Sequence, residues 1–302
     1  MAFPTLMNKK VKFIQEHVVS VDAPAKLNLY LHVTDQRPDK LHDIDSLVIF
    51  IPPYDKISVK RSNVFSLNIK GPFASNLLKD DGQNLVELAA FRLADLFGIK
   101  PFVEITLVKN LPISAGIGGG SSDAAATIKA LIELWNVDLE PQRIQVLARS
   151  LGADVPMCLY GKACFVGGTG HKICPAPSLP SFGVLLVNPQ VPLATIDVFK
   201  ARKGPFSGSG RFQNDLVNAT SLTEVLAMRT NDLEKIAIGK MPVIQNVLES
   251  LTNLSGCSLA RMSGSGATCF GLFDSEYSAI RGAEVLGLQN KNWWIRPSKF
   301  NC

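Results

Sequence analysis

Apolar and polar residues alternate from Ala25 to Val33, with Leu27, Leu29, Leu31 and Val33 on one side and Lys26, Asn28, Tyr30 and His32 on the other. A period of two predicts a half-buried strand whose polar face is either solvated or lines a cleft. After a polar loop over 34–44, residues 45–51, 55–60 and 64–70 read as strands. The period then changes. Leu85, Leu88, Ala89, Leu93 and Leu96 follow helical spacing, and Gly98 is the expected stop. Val103, Ile105 and Leu107 alternate again, a glycine-rich loop fills 111–120, and a helix is expected from about Ser121 to Trp135. Pro141 and Gly152 bracket another helix at the positions those residues favour.

Strands are expected at 162–166 and 183–187, a helix after Asn214-Asp215, and another near 242–253. Strands at 258–262 and 267–273 flank the turn Ser263-Gly264-Ser265-Gly266, and a helix near 276–286 and a strand at 292–296 complete the order. This mixture lacks the regular strand–helix alternation of a doubly wound parallel sheet, so the fold class is α+β. A chain of 302 residues suggests two domains. The glycine- and proline-rich stretch 167–180 is the natural boundary, dividing the chain into 1–170 and 171–302.

Hydrophobic residues make up 46% and charged residues 19%, which excludes a disordered or collagen-like chain. The net charge is +5, and its one dense cluster is Lys9, Lys10 and Lys12. That cluster reads as a solvated tail, so no nucleic-acid partner is expected, and the surplus charge suits a small anionic substrate. No apolar run approaches the roughly 18 residues of a membrane helix, and the N-terminus lacks a signal-like apolar stretch. A cytoplasmic protein without a membrane partner is the expectation. Cysteines at 158, 164, 174, 257, 269 and 302 form no C-x-x-C and no metal spacing with the histidines at 17, 32, 42 and 171. They read as reduced and mostly buried, and no protein-held metal is expected.

Three segments carry chemistry. In the loop from Leu111 to Ala126, Gly116, Gly118, Gly119 and Gly120 precede Ser121 and Ser122 at a helix start. Glycines admit close backbone approach, and helix-start N–H groups bind anions, so a phosphate site is preferred over a flexible loop before a capped helix. No Lys follows the glycines, which excludes a P-loop, and Ser121 stands where the dinucleotide fingerprint needs Gly or Ala. In Gly152-Ala-Asp-Val-Pro-Met-Cys158, Asp154 is either the cap of a short helix or a general base for a substrate hydroxyl, with Lys26 a candidate cation beside it. In Arg261–Phe273, Gly264 and Gly266 form either a plain hairpin turn or a second backbone loop against phosphates.

Together these segments resemble the GHMP kinase superfamily. Its phosphate loop is matched at Pro112, Gly116, Ile117, Gly118, Ser121, Ser122 and Ala124. Pro24-Ala-Lys-Leu-Asn28, Gly118-Gly-Gly-Ser-Ser-Asp123, Leu151-Gly-Ala-Asp-Val-Pro156, Asn214-Asp-Leu216 and Ser263-Gly-Ser-Gly-Ala267 narrow the likeness to the branch acting on a cytidine-diphosphate-linked polyol. The likeness spans about residues 22–275. It implies two α+β domains with a ligand cleft between them, ATP as phosphoryl donor, and Mg²⁺ held largely by phosphates and water. It implies that Lys26 and Asp154 are the catalytic pair, with Asn28 beside the substrate. The nucleotide would be held by Pro112, Gly116, Gly118, Gly119, Gly120, Ser121, Ser122, Gly264 and Gly266, with Asn84 on the adenine side. His42 would read the pyrimidine, Phe199 would stack on it, and Thr195 would contact substrate. One departure stands out: Leu41 occupies the place of the family's usual Tyr beside His42. The rival readings are a homoserine- or mevalonate-type kinase and a non-catalytic nucleotide sensor. The sensor reading sits poorly with the presence of both Lys26 and Asp154.

Overall fold

The computed structural model describes residues 17–78, 83–138 and 140–301. The lysine cluster at 9–12 and Cys302 lie outside the described residues. The first half runs β1 (Val18–Gln36), β2 (His42–Arg61), β3 (Ser66–Lys70), α1 (Ala74–Leu78), α2 (Leu85–Phe97), β4 (Val103–Val108), α3 (Gly119–Trp135), α4 (Pro141–Leu151), α5 (Val155–Tyr160), β5 (Cys164–Gly168) and β6 (Lys172–Pro175). The second half runs β7 (Phe182–Asn188), α6 (Thr195–Ala201), α7 (Ala219–Ala227), α8 (Glu234–Lys240), α9 (Val243–Thr252), β8 (Leu259–Met262), β9 (Cys269–Phe273), α10 (Glu276–Gln289) and β10 (Trp294–Phe300).

The strands form two sheets. The first has the order β3-β4-β2-β5-β6, with β1 paired to β2 off that path, and the second has the order β10-β7-β9-β8. The long β1–β2 hairpin is the spine of the molecule, because β2 also pairs with β4 at one end and β5 at the other. α3 packs along it. Its alanines 124, 125, 126 and 130 are buried, and their small side chains let the helix approach β1 and α2 closely.

The fold corrects one reading in detail. β1 is buried on both faces from Ala25 to Val33 rather than half-buried. The register shifts between Asn28 and Tyr30, so Leu29 is a β-bulge. A one-residue slip exchanges the two faces. Lys26 and Asn28 therefore share the cleft wall with Leu31, while Tyr30 and His32 turn away from it. The Tyr30 hydroxyl donates to Asp45, and His32 Nδ1 bonds the Gly208 carbonyl oxygen.

The two halves share a core. One apolar cluster joins Leu27, Leu29, Leu47 and Ile49 to Val184, Leu186, Phe270 and Leu272. The first sheet extends through β6, so the interval between the sheets is 176–181, a few residues beyond the expected division at 170/171. The seven-residue helices α6 and α8 are absent from the sequence reading.

Candidate active site

α3 begins at Gly119, two residues ahead of the expected Ser121, with Gly118 as its N-cap in the left-handed region at φ 64°. Gly119, Gly120 and Ser121 thus form the first turn, and all three line the cleft. Helix geometry leaves their N–H groups without intrahelical acceptors, at the positive end of the helix dipole. This is an anion cradle made of backbone.

Two close approaches explain the glycines. A Cβ on Gly118 would stand 3.1 Å from Lys26 Cβ, so Lys26 runs directly beneath the loop. The Lys26 N–H donates to the Ile117 carbonyl at 2.9 Å and fixes that approach. A Cβ on Gly116 would stand 2.4 Å from the Ser263 carbonyl oxygen. The 263–266 turn therefore packs directly against the glycine-rich loop. Ser263 Oγ donates to the Gly116 carbonyl at 3.1 Å, and the Thr268 N–H donates to the Ala115 carbonyl at 3.1 Å. Asn231 Nδ2 holds the turn from behind, donating to the Met262 and Gly264 carbonyls at 2.7 and 2.8 Å.

Lys26, Asn28 and Asp154 line the same cleft as this loop. Lys26 Nζ donates to Asn28 Oδ1 at 2.7 Å and is 3.3 Å from Asp154 Oδ2. Asn28 Nδ2 donates to Ser46 Oγ at 2.8 Å, so the amide that orients Lys26 is itself oriented. Asp154 occupies the N-cap position of α5 but makes no side-chain cap hydrogen bond. Its carboxylate instead faces Lys26 and keeps 37% of its side-chain surface exposed. Of the two roles open to Asp154, the geometry matches the carboxylate beside a cation.

One cleft of about 1010 Å³ gathers these groups. At one end Phe65, Leu67, Ile69, Leu77 and Leu85 form an apolar wall with Pro112 and Asn84. Asn84 caps α2, its Oδ1 accepting the Val86 N–H at 2.9 Å. At the other end stand Thr195 and Phe199, one helical turn apart on α6. Thr195 Oγ1 and Ser265 Oγ share a hydrogen bond of 2.7 Å, which ties this wall to the 263–266 turn. The His42 ring is 5.5 Å from that of Phe199 and tilted by 33°. Burial and the neighbouring Arg202 hold the His42 pKa below its ordinary value. Its imidazole is then neutral at neutral pH, with one donor and one acceptor nitrogen. Leu41 is 54% exposed beside it.

Two expected nucleotide contacts are not brought to the cleft. Ser122 is buried, its hydroxyl donates to the Pro24 carbonyl at 2.7 Å, and its N–H donates to the Gly118 carbonyl at 2.8 Å. It tethers α3 to β1. Gly266 packs behind Gly116 and does not line the cleft, whereas its neighbours Gly264 and Ser265 do. The sequence reading missed Ser265, the apolar wall around Phe65 and Leu67, and a buried lysine–aspartate cluster at Lys109. The Ser-Gly-Ser-Gly pattern contained the signal for Ser265. Among the described residues, no three His, Cys, Asp or Glu side chains gather into a metal-binding group.

The GHMP kinase N-terminal domain matches residues 84–162, and the GHMP kinase C-terminal domain matches residues 215–291. The chain belongs to the GHMP kinases. It is 47% identical over 278 residues to the 4-diphosphocytidyl-2-C-methyl-D-erythritol kinase of Rhodospirillum rubrum, covering 92% of this chain and 91% of that one. It is 41% identical over 282 residues to the kinase of the same name from Gluconacetobacter diazotrophicus, covering 90% and 92%. A solved 4-(cytidine 5'-diphospho)-2C-methyl-D-erythritol kinase superposes with a TM-score of 0.74 at 31% identity, covering 93% of this chain and 100% of that one. A homoserine kinase from Cytophaga hutchinsonii superposes with a TM-score of 0.72 at 18% identity, covering 100% and 97%, and at that distance shares the fold alone. No helix of the described residues is long and apolar enough to cross a membrane.

Proposed function

We propose that this GHMP kinase transfers the γ-phosphoryl group of Mg-ATP to the C2 hydroxyl of 4-diphosphocytidyl-2-C-methyl-D-erythritol, a step of non-mevalonate isoprenoid precursor synthesis in the cytoplasm. The observation that carries the reading is the Lys26–Asp154 pair. Its 3.3 Å contact lies at the mouth of a backbone anion cradle, in the same cleft as Thr195 and Phe199. Relatives of that printed activity at 40–47% identity supply the substrate.

The step needs little covalent help from the protein. The C2 oxygen attacks the γ-phosphorus, its proton passes to Asp154, and the bond from phosphorus to the β–γ bridging oxygen breaks to release ADP. Asp154 has one free carboxylate edge for that proton. Lys26 holds it in place and neutralises charge on the transferring group, while Gly118–Ser121 N–H groups hold the phosphates. Asn28 keeps Lys26 from swinging away. The described residues offer no cage for a resident metal. Mg²⁺ belongs to the nucleotide substrate, held by phosphates and water. Phe199 and His42 suit a cytosine ring, one by stacking and the other by hydrogen bonds to its edge. The partner is thus a small molecule.

ADP release from Mg-ATP, measured with this polyol beside homoserine and mevalonate, tests the reading. Turnover is expected with the cytidine substrate alone, and Asp154→Asn should lower kcat by about 10²–10⁴-fold. Turnover with homoserine or mevalonate instead, or with none of the three, overturns it.

A further inference from the structure

Beneath the cradle lies a second lysine–carboxylate group that phosphoryl transfer does not use. Lys109 follows β4, Asp55 is on β2 and Asp123 is near the start of α3, and all three are buried. Lys109 Nζ donates to Asp55 Oδ2 at 2.5 Å and to Asp123 Oδ2 at 2.6 Å. Asp55 Oδ1 accepts the N–H groups of Asn110 and Leu111 at 2.5 and 2.8 Å, where the phosphate loop begins. Asp123 Oδ1 is buried without a hydrogen-bond partner. A Cβ on Gly119 would stand 3.1 Å from Lys109 Nζ, so the cluster sits directly under the first residue of α3. Lys109 and Asp123 both border the cleft floor.

The charge count is unbalanced. One ammonium and two carboxylates leave a net charge of −1 in a site shielded from water, which is costly to maintain. A single proton restores neutrality. Asp55 has two N–H donors on one oxygen and the ammonium on the other, so both of its oxygens are occupied as acceptors. Asp123 has the ammonium alone. Burial, together with the negative charge of Asp55, holds the Asp123 carboxyl up at about 7 against the pull of Lys109. The charged groups of the other elements packed on α3 are engaged elsewhere. Lys26 of β1 is committed to Asn28 and Asp154, and the Cys158 thiol of α5 lies toward Asp154 and Ser122. Among the described residues, neither α2 nor α4 brings a charged side chain into bonding contact with Asp123.

We propose that Asp123 is a proton-carrying positioning residue for the nucleotide: the cradle receives the polyphosphate while Asp123 is protonated and loses affinity as Asp123 ionises. This rests on the reading of the cleft as an ATP site. An anionic ligand above the cluster opposes a further negative charge below it, so nucleotide and proton favour each other's binding.

Calorimetric titration of the full chain with ADP at about pH 6.5, 7.5 and 8.5 tests this, with Asp123→Asn and Asp55→Asn measured in parallel. The nucleotide's own titration is common to all three proteins and cancels in their ratios. The wild-type Kd is expected to rise about fivefold to tenfold relative to Asp123→Asn across that range. Titrations in two buffers of different ionisation enthalpy should show the wild type taking up more protons than either variant. Asp55→Asn keeps an oxygen for Asn110 and Leu111 and leaves one carboxylate per ammonium, so it too should lose the pH effect. It provides the comparison should Asp123→Asn fold poorly. Kd ratios that stay constant with pH, with equal proton uptake, overturn the proposal and leave the kinase reading intact. A wild type that binds no ADP at any pH overturns both.

Discussion

Lys26 lies beneath Gly118 and Lys109 beneath Gly119, each with an atom 3.1 Å from where the glycine's Cβ would stand. Each ammonium meets aspartate, yet water reaches only one of the two groups. Asp154 keeps 37% of its side chain exposed in the cleft, whereas Asp55 and Asp123 keep 0% and 3%. An open carboxylate can meet a substrate hydroxyl and hand its proton on. A closed one can only fix neighbouring backbone and store charge. The same residue types, under adjacent glycines of one loop, thus differ in solvent access, and only the open group is placed to meet a ligand.

The sharpest way to break this comparison is to remove each lysine in turn. Lys26→Met should lower kcat by about 10²–10³-fold and change unfolding free energy by about 1 kcal/mol or less, because Asp154 can turn to water. Lys109→Met should do the reverse. It leaves two buried carboxylates without their cation, and breaking such a group costs about 3–5 kcal/mol. Urea denaturation beside steady-state kinetics separates the two outcomes. Equal stability losses would mean that solvent access does not divide the roles.

A gentler test titrates the closed group. Asp123 ionises near 3.9 in the unfolded chain, while burial holds its folded value at about 7. Between those values the folded state binds more protons than the unfolded state. The contribution of Asp123 to stability is therefore present below about pH 4 and falls as pH rises toward 7. Asp123→Asn cannot ionise, so its denaturation midpoint should fall less than that of the wild type between about pH 5 and 8. Parallel profiles would place the proton elsewhere in the cluster.

The open group was legible in the sequence and the closed one was not, for a physical reason. The glycines announce backbone approach by residue type, whereas Asp154 stood open between a helix cap and a base, and the likeness to a kinase family singled out its pairing with Lys26 and the place of Asn28. Lys109 meets Asp123 across 14 residues and Asp55 across 54; the pairing of β2 with β4 brings Asp55 to it, and the start of α3 brings Asp123. No local pattern marks such a group. The β1 bulge escaped for a related reason. Alternation at the level of residue type continues through Leu29 although the backbone register does not, so Tyr30 and His32 were assigned to the wrong face. α6 and α8 have seven residues each, too short for a helical period to stand out, and α6 carries Thr195 and Phe199. The likeness to a kinase family supplied those two positions where periodicity could not.

The smallest expected effect lies at the Phe199 end of the cleft, proposed above for the pyrimidine. Phe199 and His42 are 5.5 Å apart, and Leu41, beside His42 at the head of β2, is 54% exposed. A leucine there offers apolar surface but no ring to lie against a base. Leu41→Tyr supplies one, and stacking of a base on an aromatic ring is worth roughly 1–3 kcal/mol. An exposed rim position belongs at the low end of that range, because part of the new ring remains in water. The KM for the cytidine substrate should therefore fall by about fivefold, with kcat and the KM for ATP unchanged. That split matters more than the size of the gain. A ring at position 41 touches neither the cradle nor the Lys26–Asp154 pair, so a change confined to the polyol KM assigns the Phe199 end of the cleft to the pyrimidine. An unchanged polyol KM would mean that the base does not reach the rim beside His42, and that Phe199 alone forms the stacking wall.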